Sequence, residues 1–422
     1  MKTIVVIGGG WAGCSAALKA GLAGARVFLL ERTDMLLGTG LAGGIMRNNG
    51  RWTVTEEINE MGGGEIFQVL EKAYLHRDLQ FPGHVHASIY DVIRIESQIR
   101  KALERAGVTI LTQSRVKDVV LRNKAIEAVL TDQDEEITGD VFVETTGSAG
   151  PQQYCRKYGN GCAMCILRCS TFGGRISIAE KIGIKEKKWI SPLKRYGKMS
   201  GACNLLKDSL SKKLSQRITQ YGKVEILVPK ELRADRDFGE KSCPQYEGTS
   251  YEEKLILLDN GHAKLMKPFF SLEKLRQISG LENAVYAEPA SGGIGNSVRY
   301  LSISPTDIYL RMKGAENLFC AGETIGPLAG HTEAIVTGIL AGHNAVLLGK
   351  KKKLFSPPVS TALGDFISYV NQRLEKEGGG REVLTFSGSI YLERMKRLGL
   401  YRTQKDEIRK IMGGLGLRGV LQ

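Results

Sequence analysis

The chain opens with two short apolar runs, separated by a glycine-rich turn and a stretch of small and apolar residues. Residues 3–7 read TIVVI, residues 14–24 read CSAALKAGLAG, and residues 25–31 read ARVFLLE. Short runs rich in branched apolar side chains are typical of buried strands, and a longer segment between two such runs is typical of a connecting helix. The pattern therefore predicts a strand–helix–strand unit at the start of the chain.

The alternation of strand-like and helix-like patterns continues beyond this unit. Residues 91–111 carry apolar side chains at helical spacing and contain a glycine that ends the helix before a further strand. Residues 116–132 read as two short strands around an Arg-Asn turn, and residues 140–148 read as a strand that ends at Gly147. Strands that alternate with helices in this way predict an α/β fold.

Glycines occupy the turn between the first strand and the first helix. Gly8, Gly10 and Gly13 have the spacing G-x-G-x-x-G. In such a turn the first glycine permits a tight bend, the second lets the backbone approach a pyrophosphate, and the third lets helix pack on strand. Glu31 follows 18 residues after Gly13 and ends the second strand, where an acid would bind an adenosine ribose and repel a 2′-phosphate. The motif predicts a dinucleotide site, and the alternative is a glycine-rich turn without a ligand.

Later features favour FAD over a nicotinamide dinucleotide. The helix, the strand pair and the closing Thr-Gly follow the pattern of large two-domain flavoproteins, in which the chain returns to the FAD sheet. Residues 317–326, NLFCAGETIG, then supply a strand and the usual second contact at the flavin ribityl chain. We therefore predict a two-domain flavoprotein with a Rossmann-like FAD domain. The predicted FAD-binding residues are Gly8, Gly10, Gly13, Glu31, Gly147, Gly322, Glu323 and Thr332.

Several stretches resemble two related families. VIGGGWAGCSAA at residues 6–17 and EEINEMGGGEI at residues 56–66 resemble the glucose-inhibited-division protein A family, whose FAD enzymes modify wobble uridine in tRNA. LMKPFFSL at residues 265–272 and residues 278–305 and 318–345 resemble the folate- and FAD-dependent tRNA uracil-5-methyltransferases. The resemblance implies an FAD-dependent oxidoreductase related to tRNA-modifying enzymes, with tRNA as a partner and either a folate or NAD(P)H as the donor.

The chain departs from the methyltransferase pattern at its functional cysteines. That family carries a Cys-Ser-Asn-Ser stretch after the first FAD motif, whereas residues 44–49 here read GIMRNN, without a thiol. The resemblance also implies a second functional cysteine upstream of the Met-Lys-Pro element. Cys243, 23 residues before Met266, is the candidate for that catalytic thiol.

Four of the eight cysteines of the chain lie within fifteen residues. Cys155, Cys162, Cys165 and Cys169 have the spacing C-x6-C-x2-C-x3-C, in a glycine-punctuated segment that is expected to be a loop. The spacing is too tight for the two separated knuckles of structural zinc, but iron–sulfur clusters use closely spaced cysteines. We therefore predict a [4Fe–4S] cluster. The alternatives are a Cys162/Cys165 dithiol, another metal, and a buried apolar stretch.

Histidines supply a further catalytic candidate. His331 lies in GHTEA, at the start of a helix whose N-terminus points at the flavin in this superfamily, where it would stabilise a reduced anionic flavin. A capping or packing role is the alternative for His331. His84 and His86 have a spacing that a metal site can use, or they line the substrate mouth.

The charge of the chain is uneven. The formal net charge is +14, and residues 181–217 carry 11 Lys or Arg against 2 Asp or Glu, while residues 350–422 carry 15 against 7. These two basic regions predict a surface for RNA or for an anionic cofactor, with solvated helix faces as the alternative. No apolar run approaches the length of about 18 residues that spans a membrane. Sparse cysteines and the lack of an export signal predict a cytoplasmic protein.

These features predict a domain order as well as a function. We expect an FAD-binding domain from residues 1–150 and 311–353, an inserted substrate and cysteine-cluster domain at residues 151–310, and a basic helical C-terminal domain at residues 354–422. The first hypothesis is an oxidoreductase in which the flavin exchanges electrons with the cluster. The second is folate-linked uracil methylation of RNA, and the third is a non-catalytic RNA-binding flavoprotein. The sequence is compatible with a homo-oligomer.

Overall fold

The computed structural model describes most of the chain. The predicted cluster ligands Cys155, Cys162, Cys165 and Cys169, together with Cys243, lie outside the described residues. The described residues are 1–148, 175–189, 198–199, 203–233, 249–267, 270–287, 298–299, 301–376 and 382–422.

The strands fall into one parallel sheet and several small antiparallel sheets. In chain order they are β1 (Thr3–Ile7), β2 (Arg26–Leu30), β3 (Ile45–Met46), β4 (Tyr74–Phe81), β5 (His84–Tyr90), β6 (Val108–Leu111), β7 (Val116–Arg122), β8 (Ala125–Thr131), β9 (Glu136–Thr138), β10 (Val141–Glu144), β11 (Lys187–Lys188), β12 (Lys198–Met199), β13 (Cys203–Leu205), β14 (Lys223–Leu227), β15 (Lys254–Asp259), β16 (Ala263–Leu265), β17 (Val298–Arg299), β18 (Ser302–Ile303) and β19 (Leu318–Cys320).

The helices flank the parallel sheet and form most of the C-terminal region. In chain order they are α1 (Trp11–Leu22), α2 (Gly50–Glu60), α3 (Glu65–Ala73), α4 (Ile95–Arg105), α5 (Ile178–Lys181), α6 (Lys212–Tyr221), α7 (Thr249–Glu253), α8 (Leu272–Leu275), α9 (His331–Gly349), α10 (Ala362–Glu375), α11 (Ser389–Arg397) and α12 (Lys405–Gly414).

The central sheet has the strand order β19-β10-β1-β2-β6, and each neighbouring pair is parallel. Its middle strand is apolar from Ile4 to Ile7 because both faces are covered by other elements, and Ile4, Val5 and Val6 have no exposed surface. Parallel pairing brings the carboxyl ends of β1, β2, β10 and β19 to one edge. The predicted strand–helix–strand unit and the α/β class are confirmed, and the site described below lies at this edge.

The two helices beside this sheet pack backbone against backbone. A side chain at Gly338 of α9 would lie 2.2 Å from the Ala12 carbonyl oxygen of α1, and one at Gly342 would lie 2.4 Å from that of Ala16. Only hydrogen fits at these two positions, which are one turn apart. The contact packs α1 closely against α9.

The segment from α4 to β10 matches its sequence pattern. Helix α4 precedes β6, and β7, β8 and β9 form an antiparallel meander before β10 returns to the sheet. Asn123 has a φ of 57° in the turn between β7 and β8, a conformation that asparagine tolerates better than most residues. The two short strands expected around this turn are therefore confirmed.

A second apolar core lies between residues 203 and 286. It is built on the antiparallel sheet β13-β16-β15-β14, against which α6 packs through Leu214 and Ile218. The sheet is joined to the first region by polar contacts: the Lys264 ammonium donates to the Ala42 carbonyl at 2.9 Å, and His76 Nε2 lies 3.1 Å from Asp259 Oδ2. The domain boundaries themselves stay a prediction.

The C-terminal region that the sequence predicts to be helical contains α10, α11 and α12. Their apolar residues, among them Phe366, Tyr391 and Met412, belong to the same core as the parallel sheet. Tyr391 is fully buried, and its hydroxyl donates to the Ala362 carbonyl at 2.9 Å. Across the described residues, the structure has no helix long and apolar enough to cross a bilayer.

Candidate functional site

The glycine turn has the geometry that its spacing predicts. Gly8 has a φ of 104°, which favours glycine, and a side chain there would lie 2.6 Å from the Thr145 carbonyl oxygen. A side chain at Gly13 would lie 1.8 Å from the Gly8 carbonyl oxygen, so the helix can approach the strand only because Gly13 has none. At Gly10, in contrast, a side chain would meet nothing within 4 Å and would extend into open space.

Glu31 stands at the end of β2 and faces this turn. Its Oε2 accepts from the Gly9 N–H at 2.7 Å, and its Oε1 accepts from the Thr33 N–H at 2.9 Å. These bonds to two backbone donors fix the carboxylate at the carboxyl edge of the sheet. Oε1 also lies 3.0 Å from the Thr33 hydroxyl, whereas Oε2 retains a further lone pair, so Glu31 can still accept from a ligand hydroxyl.

A cleft opens in front of the turn. Its empty volume is about 1140 Å³, including the solvent at its mouth. Its size suits a bound cofactor, since ligand sites commonly enclose several hundred Å³ or more. The cleft brings together most of the residues that the sequence predicts as cofactor contacts. Those that line it are Gly8, Gly10, Glu31, Gly147, Gly322 and Glu323, and the catalytic candidate His331 also lines it.

Two predicted contacts lie behind the cleft wall. Gly13 touches the back of the turn, as described above. Thr332 is fully buried, and its hydroxyl lies 3.6 Å from the Met46 sulfur, so its side chain does not point at the cleft. Thr332 belongs to the first turn of α9, and a cofactor contact there would use its backbone.

The cleft meets the start of two helices. Helix α1 begins after Gly10 and α9 begins after Gly330, and neither of these residues can cap its helix with a side chain. The first N–H groups of a helix lack partners inside it and carry partial positive charge, so two such ends facing one cleft suit an anionic ligand. The open space at Gly10 and the acid at the end of β2 fit the pyrophosphate and ribose of a dinucleotide. The residues present therefore fit FAD.

His331 belongs to a group of three rings at one end of the cleft. Trp11 and Tyr90 meet edge to face with centroids 5.8 Å apart, and the His331 ring lies 6.4 Å from Trp11. The Tyr90 hydroxyl donates to the Gly40 carbonyl at 2.6 Å, and its oxygen lies 3.4 Å from His331 Nδ1. Burial raises the pKa of Tyr90 well above its ordinary value, so Tyr90 is a neutral hydrogen-bonding group here.

A buried network braces the start of α9. Glu333, in its first turn, accepts from Arg51 Nε at 3.0 Å and from the Thr385 hydroxyl at 2.6 Å. Arg51 also donates to Asn48 Oδ1 at 3.0 Å, which ties the segment before α2 to the same network. Sequence reasoning missed this network. Its only signal is an acid in the first turn of a helix, which is too common to identify a partner 282 residues away.

A second buried network forms the floor of the cleft. Arg175 donates to the Thr146 hydroxyl at 2.7 Å, to Glu144 at 2.7 Å and to both oxygens of Glu186 at 2.6 and 2.8 Å. Burial raises the pKa of Glu144, and hydrogen bonds from Arg175 hold the pKa of Glu186 below its ordinary value despite its burial. Sequence reasoning also missed this network, because Arg175 is separated from the strand that it meets by the cysteine-rich segment.

The cysteines of the parallel-sheet region are not activated. Cys14 and Cys320 are fully buried, and burial raises the pKa of both thiols. The Cys14 thiol donates to the Gly9 carbonyl at 3.2 Å. Since thiolates are the reactive form, both residues have structural roles.

Within the described part of the chain, no group of three or more His, Cys, Asp or Glu side chains could hold a metal ion. His84 Nδ1 contacts the Asn48 amide at 2.8 Å, while His86 Nδ1 contacts Asp78 at 2.9 Å, so these two histidines have separate partners. The predicted cluster cysteines lie outside the described residues. The described residues on either side of their segment, Ser148 and Arg175, both line the cleft.

Comparison with protein families finds one matching family model. The model described as Glucose inhibited division protein A matches residues 3–266 and 247–353. The tRNA uridine 5-carboxymethylaminomethyl modification enzyme MnmG of Alkaliphilus metalliredigens (strain QYMF) is 23% identical over 406 residues, which cover 83% of this chain and 62% of that protein. The chain thus spans about three fifths of the length of this relative.

A second relative matches a shorter segment. The methylenetetrahydrofolate–tRNA-(uracil-5-)-methyltransferase TrmFO of Caulobacter sp. (strain K31) is 39% identical over 98 residues, which cover 23% of this chain and 20% of that enzyme. The predicted resemblance to both families is therefore confirmed.

Solved structures of the same fold include GidA of Aquifex aeolicus in two crystal forms. The form II structure has a TM-score of 0.71 at 18% identity and covers 100% of this chain and 74% of that one. The form I structure has a TM-score of 0.64 at 18% identity and covers 98% of this chain and 78% of that one. The predicted fold class, a two-domain flavoprotein, is confirmed.

Proposed function

Since the chain belongs to the glucose inhibited division protein A family, we propose that it is an FAD-dependent enzyme that modifies uridine in tRNA. The observation that carries the proposal is the cleft between the N-termini of α1 and α9. It combines the open space at Gly10, the fixed carboxylate of Glu31 and two helix starts without side-chain caps. Such a cleft suits a long anionic dinucleotide.

Each predicted contact has a defined task in this proposal. The N–H groups after Gly10 bind the pyrophosphate, Glu31 accepts from the adenosine ribose, and Gly322 and Glu323 contact the ribityl chain. The start of α9 supplies partial positive charge near the flavin ring, because Arg51 neutralises Glu333 there. When bound, FAD supplies hydride and electron transfer, and the protein supplies its orientation and electrostatics.

His331 is the proposed catalytic side chain at the ring end of the cleft. Because the Tyr90 hydrogen is donated to Gly40, the phenol oxygen can only accept from His331, so their 3.4 Å contact favours the tautomer with hydrogen on Nδ1. His331 Nε2 is then the nitrogen that can accept a proton. Cys243 is proposed as the thiol that attacks uridine, in keeping with its place upstream of the Met-Lys-Pro element.

We further propose that Cys155, Cys162, Cys165 and Cys169 hold a [4Fe–4S] cluster that exchanges electrons with the flavin. Two observations support it: the close spacing of the thiols, and the position of Ser148 and Arg175 at the cleft on both sides of their segment. A flavin can divide a two-electron input into single electrons, which a cluster can accept. The donor that reduces the flavin is proposed to be NAD(P)H.

Folate-dependent uracil methylation is the second candidate. The match of 98 residues to a methyltransferase favours it. The absence of a thiol from residues 44–49 speaks against the mechanism that this family uses, so a substitute for that thiol would be required. Incorporation of a labelled methylene group from methylenetetrahydrofolate into tRNA distinguishes it from the first proposal.

One set of measurements tests the proposed function. Protein purified anaerobically is analysed for flavin, and its binding to tRNA is titrated at several salt concentrations. We expect about one FAD per chain and a tRNA affinity that falls steeply with salt, because Lys and Arg contacts to phosphates release counterions. Protein that carries no flavin would contradict the cofactor, and tRNA that binds no better than an uncharged polymer would contradict the substrate.

A further inference from the structure

A second cavity lies beside the far end of α9. Its empty volume is about 1490 Å³, including the solvent at its mouth. It is bounded by α9, residues 352–359 and the last residues of the described chain. His343, on its wall, is twelve residues from His331 along α9, which corresponds to about 18 Å along the helix axis. The cavity is therefore separate from the cleft that receives the proposed cofactor.

The cavity has fixed walls. Asn344, next to His343, is fully buried, and its amide nitrogen donates to the carbonyl oxygens of Tyr309 at 3.0 Å and Phe355 at 2.8 Å. The Phe355 N–H donates back to the Asn344 amide oxygen at 2.8 Å. One buried side chain thus holds two of the walls against α9.

His343 is the polar group on the wall of this cavity. Its side chain is nine-tenths buried, and its ring meets Phe355 edge to face with centroids 6.1 Å apart. No described residue forms a hydrogen bond with its ring nitrogens. Burial and two nearby lysines lower the pKa of His343 to about 4, so at neutral pH the ring offers one donor and one acceptor. Because His343 lines the cavity, a polar atom of a ligand there can form a hydrogen bond with the ring.

The rim of the cavity is cationic and its outer wall is apolar. Lys352 and Lys353 line it, and neither forms an ion pair with a described carboxylate. Ile308 and Val359 also line it and are 44% and 62% exposed, so they add apolar surface to the rim. Two cations beside exposed apolar surface complement a ligand that has an anionic head and an apolar body.

We propose that this cavity binds a small organic anion with an apolar ring or chain, its head on Lys352 and Lys353 and a polar atom of its body on His343. A lone inorganic anion lacks the body that Ile308 and Val359 would cover. A neutral apolar compound lacks the head that the lysines would bind. The proposal is independent of the function assigned to the cleft.

Titration calorimetry with matched probes tests the proposal. The protein is saturated with FAD so that its cleft is filled, and it is titrated with 1-naphthyl phosphate, 1-naphthoate, 1-naphthol and inorganic phosphate. We expect the first two to bind, with their ratio reporting whether the site prefers a phosphate ester or a carboxylate. We expect 1-naphthol and inorganic phosphate each to bind at least about tenfold more weakly, because each lacks one half of the recognition. Equal binding of 1-naphthol and 1-naphthyl phosphate would overturn the proposal.

Variants locate the bound probe. Lys352→Ala and Lys353→Ala should each weaken 1-naphthyl phosphate about tenfold, since each removes a charged contact. Lys351→Ala is the matched control, because Lys351 belongs to the same run but does not line the cavity, and it should change affinity by less than about twofold. An equal loss in all three variants would mean that the probe senses only bulk charge and would refute the site.

The histidine contact has its own measurement. The chain contains six histidines, so ring 15N labelling gives few signals, and the His343 signal is identified by its loss in His343→Phe. We expect 1-naphthyl phosphate to shift the His343 signal and leave the His331 signal in place. A shift confined to His331 or absent from His343 would contradict the proposal, and the lysine variants remain informative if His343→Phe folds poorly.

Discussion

Arg51 and Glu333 form a buried ion pair that joins α2 to the first turn of α9. Arg51 Nε donates to both carboxylate oxygens of Glu333, at 3.2 and 3.0 Å, and the side chains are only 8% and 1% exposed. The Phe386 N–H donates to the same carboxylate at 2.8 Å. The pair therefore fixes the helix start that faces the cleft and also anchors the segment before α11.

Removing one partner of this pair should be costly. Arg51→Met leaves the Glu333 carboxylate buried without its cation, and we expect the free energy of unfolding to fall by about 3–5 kcal/mol. Chemical denaturation monitored by circular dichroism measures the change.

The double variant serves as the control for this prediction. Arg51→Met combined with Glu333→Gln removes both charges, so it should be more stable than Arg51→Met alone. A double variant that loses the sum of the two single losses would mean that the two side chains do not interact.

The second prediction concerns FAD binding in the open space in front of Gly10. Gly10→Val would place its side chain where the proposed pyrophosphate lies, so the purified protein should fold but lack the flavin absorbance. Gly414→Val is the matched control, because a side chain at Gly414 of α12 also meets nothing within 4 Å but lies outside the cleft. Retention of FAD by Gly10→Val, or its loss from both variants, would remove support for the assignment.

If the protein holds the proposed iron–sulfur cluster, the purified protein should be coloured and should contain iron. Anaerobic protein should be brown, with iron and acid-labile sulfide. Cys165→Ser should lose the iron yet keep FAD, because the proposed FAD contacts of the glycine turn and Glu31 come from other parts of the chain. Cys203→Ser, at a buried thiol of β13, is the control and should keep both. Flavin without iron or another metal in anaerobic protein would favour the Cys162/Cys165 dithiol instead.

The burial of Glu57 should make the free energy of unfolding depend on pH. Its carboxylate is fully buried and accepts from the Ala362 N–H at 2.9 Å, and burial raises its pKa from 4.5 to about 7. Because the folded state holds this proton more tightly than the unfolded state, Glu57 contributes stability that is present below pH 4.5 and is lost as the pH rises to about 7. At about 1.4 kcal/mol for each pKa unit, the loss amounts to about 3 kcal/mol.

Comparison with Glu57→Gln isolates this effect, since glutamine does not titrate. The stability of the unmodified protein relative to Glu57→Gln should fall between pH 4.5 and pH 7.5, as measured by urea denaturation at each pH. Glu104→Gln, at an exposed position of α4, should change stability by at most about 0.5 kcal/mol at either pH. A constant difference between the unmodified protein and Glu57→Gln would contradict the raised pKa of Glu57.

Local patterns in the sequence predicted the parallel sheet well. Each local pattern here favours one type of secondary structure, because strand, turn and helix depend on neighbouring residues. These patterns are the apolar runs of β1 and β2, the three glycines between them and the glycine before β6. The same holds for the strand pair β7 and β8 and for the helical character of the C-terminal region. The cleft followed, because parallel strands place Glu31 and Gly147 at the same edge.

Long-range pairing could not be predicted in this way. Strand β12 pairs with β17, a hundred residues later, and each has only two residues, so neither has a detectable period. The Arg175 network and the Arg51–Glu333 pair depend on side chains that meet only after the sheet has formed. The cavity at His343 likewise requires Asn344 to hold two loops that are distant in the sequence.

The glycine contact between α1 and α9 has a consequence for the order of events during synthesis. Translation delivers Gly338 more than 300 residues after Ala12, the residue on which it packs. Until then one face of α1 has no neighbour and the second helix start of the cleft does not exist. A nascent chain that ends before α9 therefore contains the complete glycine turn but only one of the two helix starts that face the cleft. We therefore expect the proposed FAD to bind stably only after α9 has been synthesised and packed on α1.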